Sequence, residues 1–217
     1  NNDNLMFFEN ECFLIEDKVL GSTGSYSSLW NIFAANASKM IDVNKKILII
    51  PKAIGGTSVS DWSNNKQNIF TFLINEIENY ENNFEKPIDY IILIIGETDG
   101  NIKTTEADYI NNIGDIFEKI YLKSKYKNKP KILMTLTSRC YDNNSNYEIL
   151  NAQRKFSDLN ENIEIFTFTD NLGSEFRWDN CHYNEMGAKY ITDSLIKKVF
   201  NWMIYINDKN ILKDTTY

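Results

Sequence analysis

The sequence predicts a three-layer α/β/α fold in which helices cover both faces of a central parallel sheet. Four short runs of apolar, largely β-branched residues alternate with segments whose apolar residues recur at helical spacing. The runs are continuously apolar rather than alternating in polarity, which is typical of strands buried on both faces. Strands separated by helices lie parallel in one sheet, with the helices as crossover connections.

The elements follow one another in a regular order. A helix near 28–40 precedes the first clear strand. Four strands are then predicted, at 47–51, 90–95, 132–136 and 163–168. The segments between them carry apolar residues on one helical face, at 70–77, 109–120 and 147–159. Apolar residues between 186 and 200 predict a closing helix.

The N-terminal region does not provide the strand that this architecture needs. In flavodoxin-like sheets the first strand lies at the centre. The best candidate, 12–15, is crowded by four carboxylates between residues 9 and 17, which a buried central strand disfavours. We therefore expect that strand to lie upstream of Asn1. Residues 1–205 are predicted to form a single domain, and 206–217 a polar C-terminal tail.

Composition narrows the classes of partner. A formal net charge of -7 argues against general binding to nucleic acid or to an anionic membrane. No apolar run approaches the roughly 20 residues of a membrane span. The three cysteines lack the spacing of a zinc site, so no metal is expected. The expected partner is a small or neutral molecule.

The single histidine of the chain, His182, lies in the loop between the last strand and the closing helix. Asp179, three residues earlier, can direct its carboxylate onto the imidazole Nδ1 and leave Nε2 to take a proton from a nucleophile. Such loops at the carboxyl edge of a parallel sheet are where ligands usually bind. Taken alone, this spacing is more typical of a histidine that caps or packs the closing helix.

Two further loops at the same edge strengthen the functional interpretation. Gly55 and Gly56 follow the first clear strand, and their backbone N–H groups can approach a developing oxyanion. Glu97 and Asp99 follow the second. Separately these loops could be an ordinary turn and a helix cap, but three such loops converging on one edge favour an active site.

The order of these motifs resembles that of the SGNH, or GDSL-like, hydrolase superfamily, in its branch of sialate O-acetylesterase-like carbohydrate esterases. The matching blocks run in order from about residue 12 to residue 196, at 24–30, 53–62, 96–99, 138–140, 152–154 and 177–183. The resemblance implies the SGNH fold and a Ser-His-Asp esterase without cofactor. His182 would be general base and acid, Asp179 its orienting partner, and Gly56 an oxyanion donor.

The resemblance also identifies two departures from the family pattern. The nucleophilic serine of such proteins follows the first strand, and no matching block is present, so we expect it upstream of Asn1 together with that strand. Ser22, in a glycine-rich turn, is a weaker candidate. Where the family carries His-Gln, this sequence has Ile94 and Ile95, and an apolar side chain cannot donate to an oxyanion. Thr98 is a possible substitute donor.

The predicted function is hydrolysis of acyl groups, acetyl in particular, from a sugar or glycan, with Glu97, Asp99 and Arg177 binding substrate or shaping the site. The alternatives are a non-catalytic glycan-binding domain and an O-acyltransferase. Sugar-ester substrates favour an envelope or secreted setting. Cys140 and Cys181 fall on predicted edge loops and are either a disulfide or two separate thiols.

Overall fold

A computed structural model describes residues 5–8, 11–14, 20, 22–23, 28–41, 46–127, 129–141 and 144–213. The strands are β1 Leu5–Phe8, β2 Glu11–Leu14, β3 Leu48–Ile49, β4 Tyr90–Leu93, β5 Lys131–Leu136 and β6 Ile163–Phe168. The helices are α1 Leu29–Ala37, α2 Val59–Ser63, α3 Ile69–Phe84, α4 Glu97–Ile102, α5 Glu106–Lys123, α6 Tyr147–Asp158 and α7 Glu185–Lys213. Short 3-10 turns occupy Lys66–Asn68 and Ser174–Phe176.

The described strands form two three-stranded sheets. Strands β4, β5 and β6 pair in that order and are parallel throughout, with Ile132 of β5 opposite Ile91 and Ile163. The other sheet has the order β2-β1-β3, in which β1 runs parallel to β3 and antiparallel to β2. A parallel sheet flanked by helices therefore carries the fold, as the sequence predicts.

The core confirms the three layers. Ile132 packs in an apolar cluster with residues of α3, α5 and α6. Its neighbour Leu133 packs in a second cluster with residues of α1 and α7. Successive residues of a strand point to opposite faces, so the two clusters lie on opposite sides of β5. The continuous apolar runs of the sequence follow from this double burial.

The N-terminal region differs from the prediction. Two strands precede residue 20, and β1, which the sequence did not indicate, lies between β2 and β3 with Met6 only 2% exposed. Strand β2 takes up most of the 12–15 candidate; residue 15 and the block 24–27 lie outside the described residues. Among the described strands β2 pairs with β1 alone, and an edge position tolerates flanking carboxylates that a central one does not.

The closing helix α7 is longer than predicted. It continues to Lys213, into the segment predicted as a polar tail, whose residues 214–217 lie outside the described residues. None of the helices in the described part of the chain combines the length and apolar character required to traverse a bilayer.

Candidate active site

Asp179 and His182 form the pair that the sequence predicts. The carboxylate Oδ2 lies 2.8 Å from the imidazole Nδ1, while Oδ1 accepts the backbone N–H groups of His182 at 2.8 Å and Cys181 at 3.2 Å. The His182 N–H bonds, foremost the backbone one, hold the pKa of Asp179 below its ordinary value. The carboxylate is thus ionised and bonded on both oxygens. The His182 side chain is 53% exposed at the protein surface.

The Asp179–His182 loop is closed at its base by Arg177. The Arg177 guanidinium donates to the carbonyl of Cys181 and, at 3.0 Å, to that of Thr169, and it lies 4.6 Å from the centre of the Tyr183 ring. The Trp178 amide donates to the His182 carbonyl at 2.8 Å. Arg177 is only 4% exposed. Its described contacts are with residues of the segment between β6 and α7.

A disulfide joins this loop to its neighbour. Cys181, directly before His182, is bonded to Cys140 in the loop that follows β5. Of the two alternatives left open by the sequence, the structure shows the bonded one. Tyr141, the next residue, places its ring centre 6.4 Å from that of His182 in an edge-to-face arrangement.

Buried Asp170 at the end of β6 fixes the loop that carries Cys140. Its carboxylate accepts the backbone N–H groups of Ser138 at 2.7 Å and Arg139 at 2.9 Å, together with the Ser138 hydroxyl. The Ser138 hydroxyl in turn accepts a hydrogen bond from the backbone N–H of Asn146 at 2.8 Å. The disulfide therefore ties His182 to a loop that is itself rigidly bonded.

The glycine loop after β3 presents an exposed backbone. Gly56 has φ +73°, in the left-handed region, and a β-carbon built there would meet open space. The amide of Gly55 is bonded to the Thr23 hydroxyl at 2.8 Å, and Ser22 forms a bridge with Ala53. Ser22 thus runs beside the glycine loop, and its segment lines that part of the edge.

The loop after β4 passes directly into α4, where the other predicted residues lie. Asp99 is fully buried and accepts the Val59 amide at 3.1 Å and the Thr104 hydroxyl at 3.0 Å. This joins α4 to the start of α2, and burial raises the pKa of Asp99. These bonds hold the first turn of α4 against the start of α2. Thr98 beside it is partly exposed.

Glu97 is the first residue of α4, and its carboxyl group lies near the Arg177 charge. It bonds with the Thr137 hydroxyl, which lies 3.3 Å from the Tyr183 hydroxyl. Loss of hydration raises the pKa of the Glu97 carboxyl, a shift that the nearby Arg177 charge opposes. Loss of hydration also raises the pKa of Tyr183 to about 12. A polar cluster of Glu97, Thr137, Tyr183 and Arg177 therefore adjoins His182.

The two isoleucines at the end of β4 belong to the core. Ile94 and Ile95 pack against the apolar clusters on opposite faces of the sheet. The Ile95 carbonyl accepts the Gln153 amide at 3.0 Å and the Tyr109 hydroxyl at 3.0 Å. The side chain at position 95 thus supports packing and offers no hydrogen-bond donor to a ligand.

Gln153 joins the ends of β4 and β5 below the site. It is fully buried, accepts the Thr137 amide at 2.9 Å and donates to the Thr137 carbonyl at 2.8 Å, besides its bond to Ile95. The approach is close enough that a β-carbon at Gly96 would lie 2.2 Å from the Thr137 carbonyl oxygen. The sequence placed Gln153 in a matching block but assigned it no role, because its partners are 16 and 58 residues away.

The predicted residues are thus brought together to different degrees. Asp179 and His182 are in direct contact, and Glu97 with Arg177 adjoins them. The glycine loop is connected through α4, since Asp99 bonds to the start of α2. Tyr141, Thr137 and Tyr183 were not singled out, because no spacing pattern marks contacts between separate loops. In the part of the chain that the structure describes, no cluster of three or more His, Cys, Asp or Glu residues is arranged to hold a metal ion.

Solved structures of low sequence identity share this fold. A protein from Arabidopsis thaliana matches with a TM-score of 0.72 and 17% identity, over 91% of this chain and 80% of that one. A mutant acetyl-xylooligosaccharide esterase from Geobacillus matches at 0.56 and 13%, over 82% and 84%. A family 3 carbohydrate esterase from Talaromyces cellulolyticus matches at 0.53 and 14%, over 87% and 90%. These likenesses show the SGNH-type fold.

Sequence comparison gives the family. No curated protein matches the chain. Residues 27–201 match the family described as carbohydrate esterase, sialic acid-specific acetylesterase. That segment covers most of the chain and contains the glycine loop, α4 and the Asp179–His182 pair. The chain therefore belongs to this family of carbohydrate esterases.

Proposed function

We propose that the protein is a serine-dependent hydrolase that removes O-acetyl groups from a sugar or glycan. The family makes it a carbohydrate esterase-like hydrolase; the acetyl group, the serine and the residue roles are the proposal. The observation that carries it is the Asp179–His182 pair, in which the imidazole is bonded at Nδ1 and the His182 side chain is half exposed.

His182 acts as general base and then as general acid. An ionised Asp179 that accepts Nδ1–H fixes the tautomer in which Nε2 is free of a proton and can take one from the serine hydroxyl. The carboxylate also stabilises the imidazolium that forms. As the bond between the acetyl carbon and the sugar oxygen breaks, Nε2 gives the proton to that oxygen, and the sugar leaves with a free hydroxyl. The acetyl group stays on the serine until water, deprotonated by His182, attacks it and releases acetate.

Gly56 supplies an oxyanion donor in this proposal. Its left-handed backbone and the open space beside it allow the N–H to approach the tetrahedral oxygen closely. Thr98 is the proposed second donor, in place of the side chain that Ile95 lacks. Loss of one such donor costs about 3 kcal/mol in the transition state.

The proposed nucleophile is a serine upstream of Asn1, as the sequence resemblance implies. Ser22 is the alternative within the chain. A fluorophosphonate probe, which reacts with activated serines, distinguishes them when applied to the protein of the complete reading frame. Mass spectrometry of the labelled peptide identifies the serine. Labelling of Ser22 would contradict the upstream assignment.

The substrate class rests on the family and on the Geobacillus neighbour, described as an acetyl-xylooligosaccharide esterase. Acetylated pyranosides are accordingly the proposed substrates. The Cys140–Cys181 disulfide supports an envelope or secreted setting, because disulfides persist in oxidising compartments.

A second candidate function is glycan binding without catalysis. It is favoured by Ile95, which occupies the core where the family carries a glutamine. Acyl transfer to a sugar acceptor would use the same residues if water were kept from the acyl-enzyme. A product assay with an added sugar acceptor separates transfer from hydrolysis.

The central test compares two aspartates with equal exposure. We expect His182→Ala and Asp179→Asn each to lower kcat for acetyl-ester hydrolysis by roughly a thousandfold or more, because either change removes the oriented base. Asp193→Asn is the control, since Asp179 and Asp193 are both 42% exposed and each is paired with a cation-forming side chain. A rate unchanged by His182→Ala would refute the esterase proposal.

A further inference from the structure

We propose that Tyr141 is a substrate-contacting residue whose ring packs against the pyranose of the acetylated sugar. The inference rests on the proposed function. In that reaction the sugar is the leaving alcohol, so it must lie beside the imidazole of His182. Tyr141 lies outside the motifs that define the predicted acid, base and oxyanion groups.

The position of the Tyr141 ring is the first argument. The imidazole that returns a proton to the leaving oxygen must lie within hydrogen-bond distance of it, about 2.8 Å. The Tyr141 and His182 ring centres are 6.4 Å apart and nearly perpendicular. A sugar bonded through that oxygen therefore enters the immediate surroundings of the Tyr141 ring.

The conformation of Tyr141 is the second argument. Its φ of 62° lies in the left-handed region, which is unfavourable for a residue with a bulky side chain. The residue is nevertheless 56% exposed. Little burial offsets the backbone strain, so fold stability does not explain the residue, and strained residues concentrate at functional sites.

The support beneath Tyr141 is the third argument. The preceding Cys140 is buried and covalently bonded to Cys181, and the backbone of Ser138 and Arg139 is bonded to buried Asp170. The ring is thereby held ready for a ligand, which reduces the ordering cost of binding. Aromatic faces carry partial negative charge and attract polarised C–H groups such as those of a sugar ring.

The test measures discrimination between leaving groups. We expect Tyr141→Ala to lower the ratio of kcat/KM for an acetylated methyl xyloside over that for ethyl acetate by about tenfold, the size of an aromatic contact of about 1.4 kcal/mol. The change should fall mainly on KM. An O-acetylated sialic acid is assayed in parallel, so that the preferred pyranose is identified.

Three further variants show whether a loss in Tyr141→Ala comes from the missing contact with the ring or from a change in folding. Tyr141→Gly also removes the ring but relaxes the left-handed backbone, and should give the same loss. Tyr141→Phe keeps the ring and should retain the ratio within about twofold. Phe84→Ala changes a partly exposed aromatic at the end of α3, and should leave the ratio unchanged.

Equal losses on both esters, or no loss on the sugar ester, would overturn the proposal. Isothermal titration with unacetylated methyl xyloside and with free sialic acid gives the same comparison without catalysis. If the wild-type protein hydrolyses neither ester, the proposed function fails, while weaker sugar binding by Tyr141→Ala than by Phe84→Ala still supports the contact. Sugar binding that is unaffected by Tyr141→Ala refutes it.

Discussion

Glu97 shows how the site places a carboxyl group where its charge is poorly hydrated. The residue adjoins Thr137, Tyr183 and Arg177, and loss of hydration raises its pKa although the Arg177 charge opposes the shift. The folded protein consequently retains the Glu97 proton to a higher pH than the unfolded chain does. Folding is thereby linked to pH through this one residue.

We expect Glu97→Gln to remove that linkage. Between the ordinary glutamate pKa and the raised pKa of the folded state, unfolding releases a proton, so this contribution to stability falls as pH rises. The unfolding free energy of wild type minus that of the variant should therefore decrease from about pH 4.5 upward. Urea denaturation at several pH values measures it. Glu148→Gln, which changes an exposed glutamate in the first turn of α6, is the control. A difference that stays constant or increases with pH would contradict the prediction.

At the scale of elements, the loop that carries Asp179 and His182 is held by three kinds of interaction. Arg177 closes its base, Asp179 accepts two of its backbone N–H groups, and the disulfide fixes Cys181 to the loop after β5. The covalent connection joins Cys181, the neighbour of His182, to the loop that follows β5. Its removal should therefore affect both stability and catalysis.

We expect the double substitution Cys140→Ser and Cys181→Ser to lower the unfolding free energy by about 4 kcal/mol, the chain-entropy cost for a loop of this length. The bonded cysteines are 41 residues apart. The kcat should fall as well, because the His182 loop loses its tie. Urea denaturation and ester hydrolysis measure the two effects, and a dithiol should reproduce them in wild type. An equal effect of the dithiol on the double variant would assign the change to something other than this disulfide.

The elements themselves differ in how well the sequence predicts them. Strands β4 to β6 and helices α3, α5 and α6 follow from apolar periodicity, because both faces of the sheet and one face of each helix are buried. Strand β1 is not predicted because its place in the sheet depends on pairing with the distant β3, with Leu5 lying opposite Leu48. A local window contains no such information.

The candidate site, like the fold, is predictable only where its features depend on neighbouring residues in the sequence. The loops and the Asp179–His182 pair follow from chain order and a three-residue spacing. The bonds that hold the loops join distant residues, as when Asp170 accepts from Ser138 across 32 positions. The direction of a side chain and its partner across the fold are set by packing, which a pattern does not encode. That Gly56 faces His182 stays a prediction.

At the scale of the whole molecule, different buried polar groups lie at the two ends of the parallel strands, the carboxyl ends and the amino ends. Gln153 lies at the carboxyl edge and joins β4 to β5 beneath the site. Glu81, 1% exposed, lies at the opposite edge, where it accepts the Ser124 hydroxyl at 2.6 Å and the Lys125 amide at 2.7 Å. Both residues satisfy backbone or hydroxyl groups at the ends of elements, so both stabilise the fold.

We expect Gln153→Ala and Glu81→Ala to be similarly destabilising but to differ in their effect on catalysis. Each leaves buried hydrogen-bonding groups without a partner, at a cost of about 2 to 4 kcal/mol. Gln153→Ala also frees the strand ends that position Glu97 and Thr137, so kcat should fall by about tenfold or more, because small misplacements of catalytic groups are costly. Glu81→Ala should leave kcat within about twofold, since its contacts lie at the other edge. Thermal unfolding and ester hydrolysis, measured well below both midpoints, make the comparison. Equal losses of kcat would show that general stability, rather than the bonding at the carboxyl edge, holds the site in place.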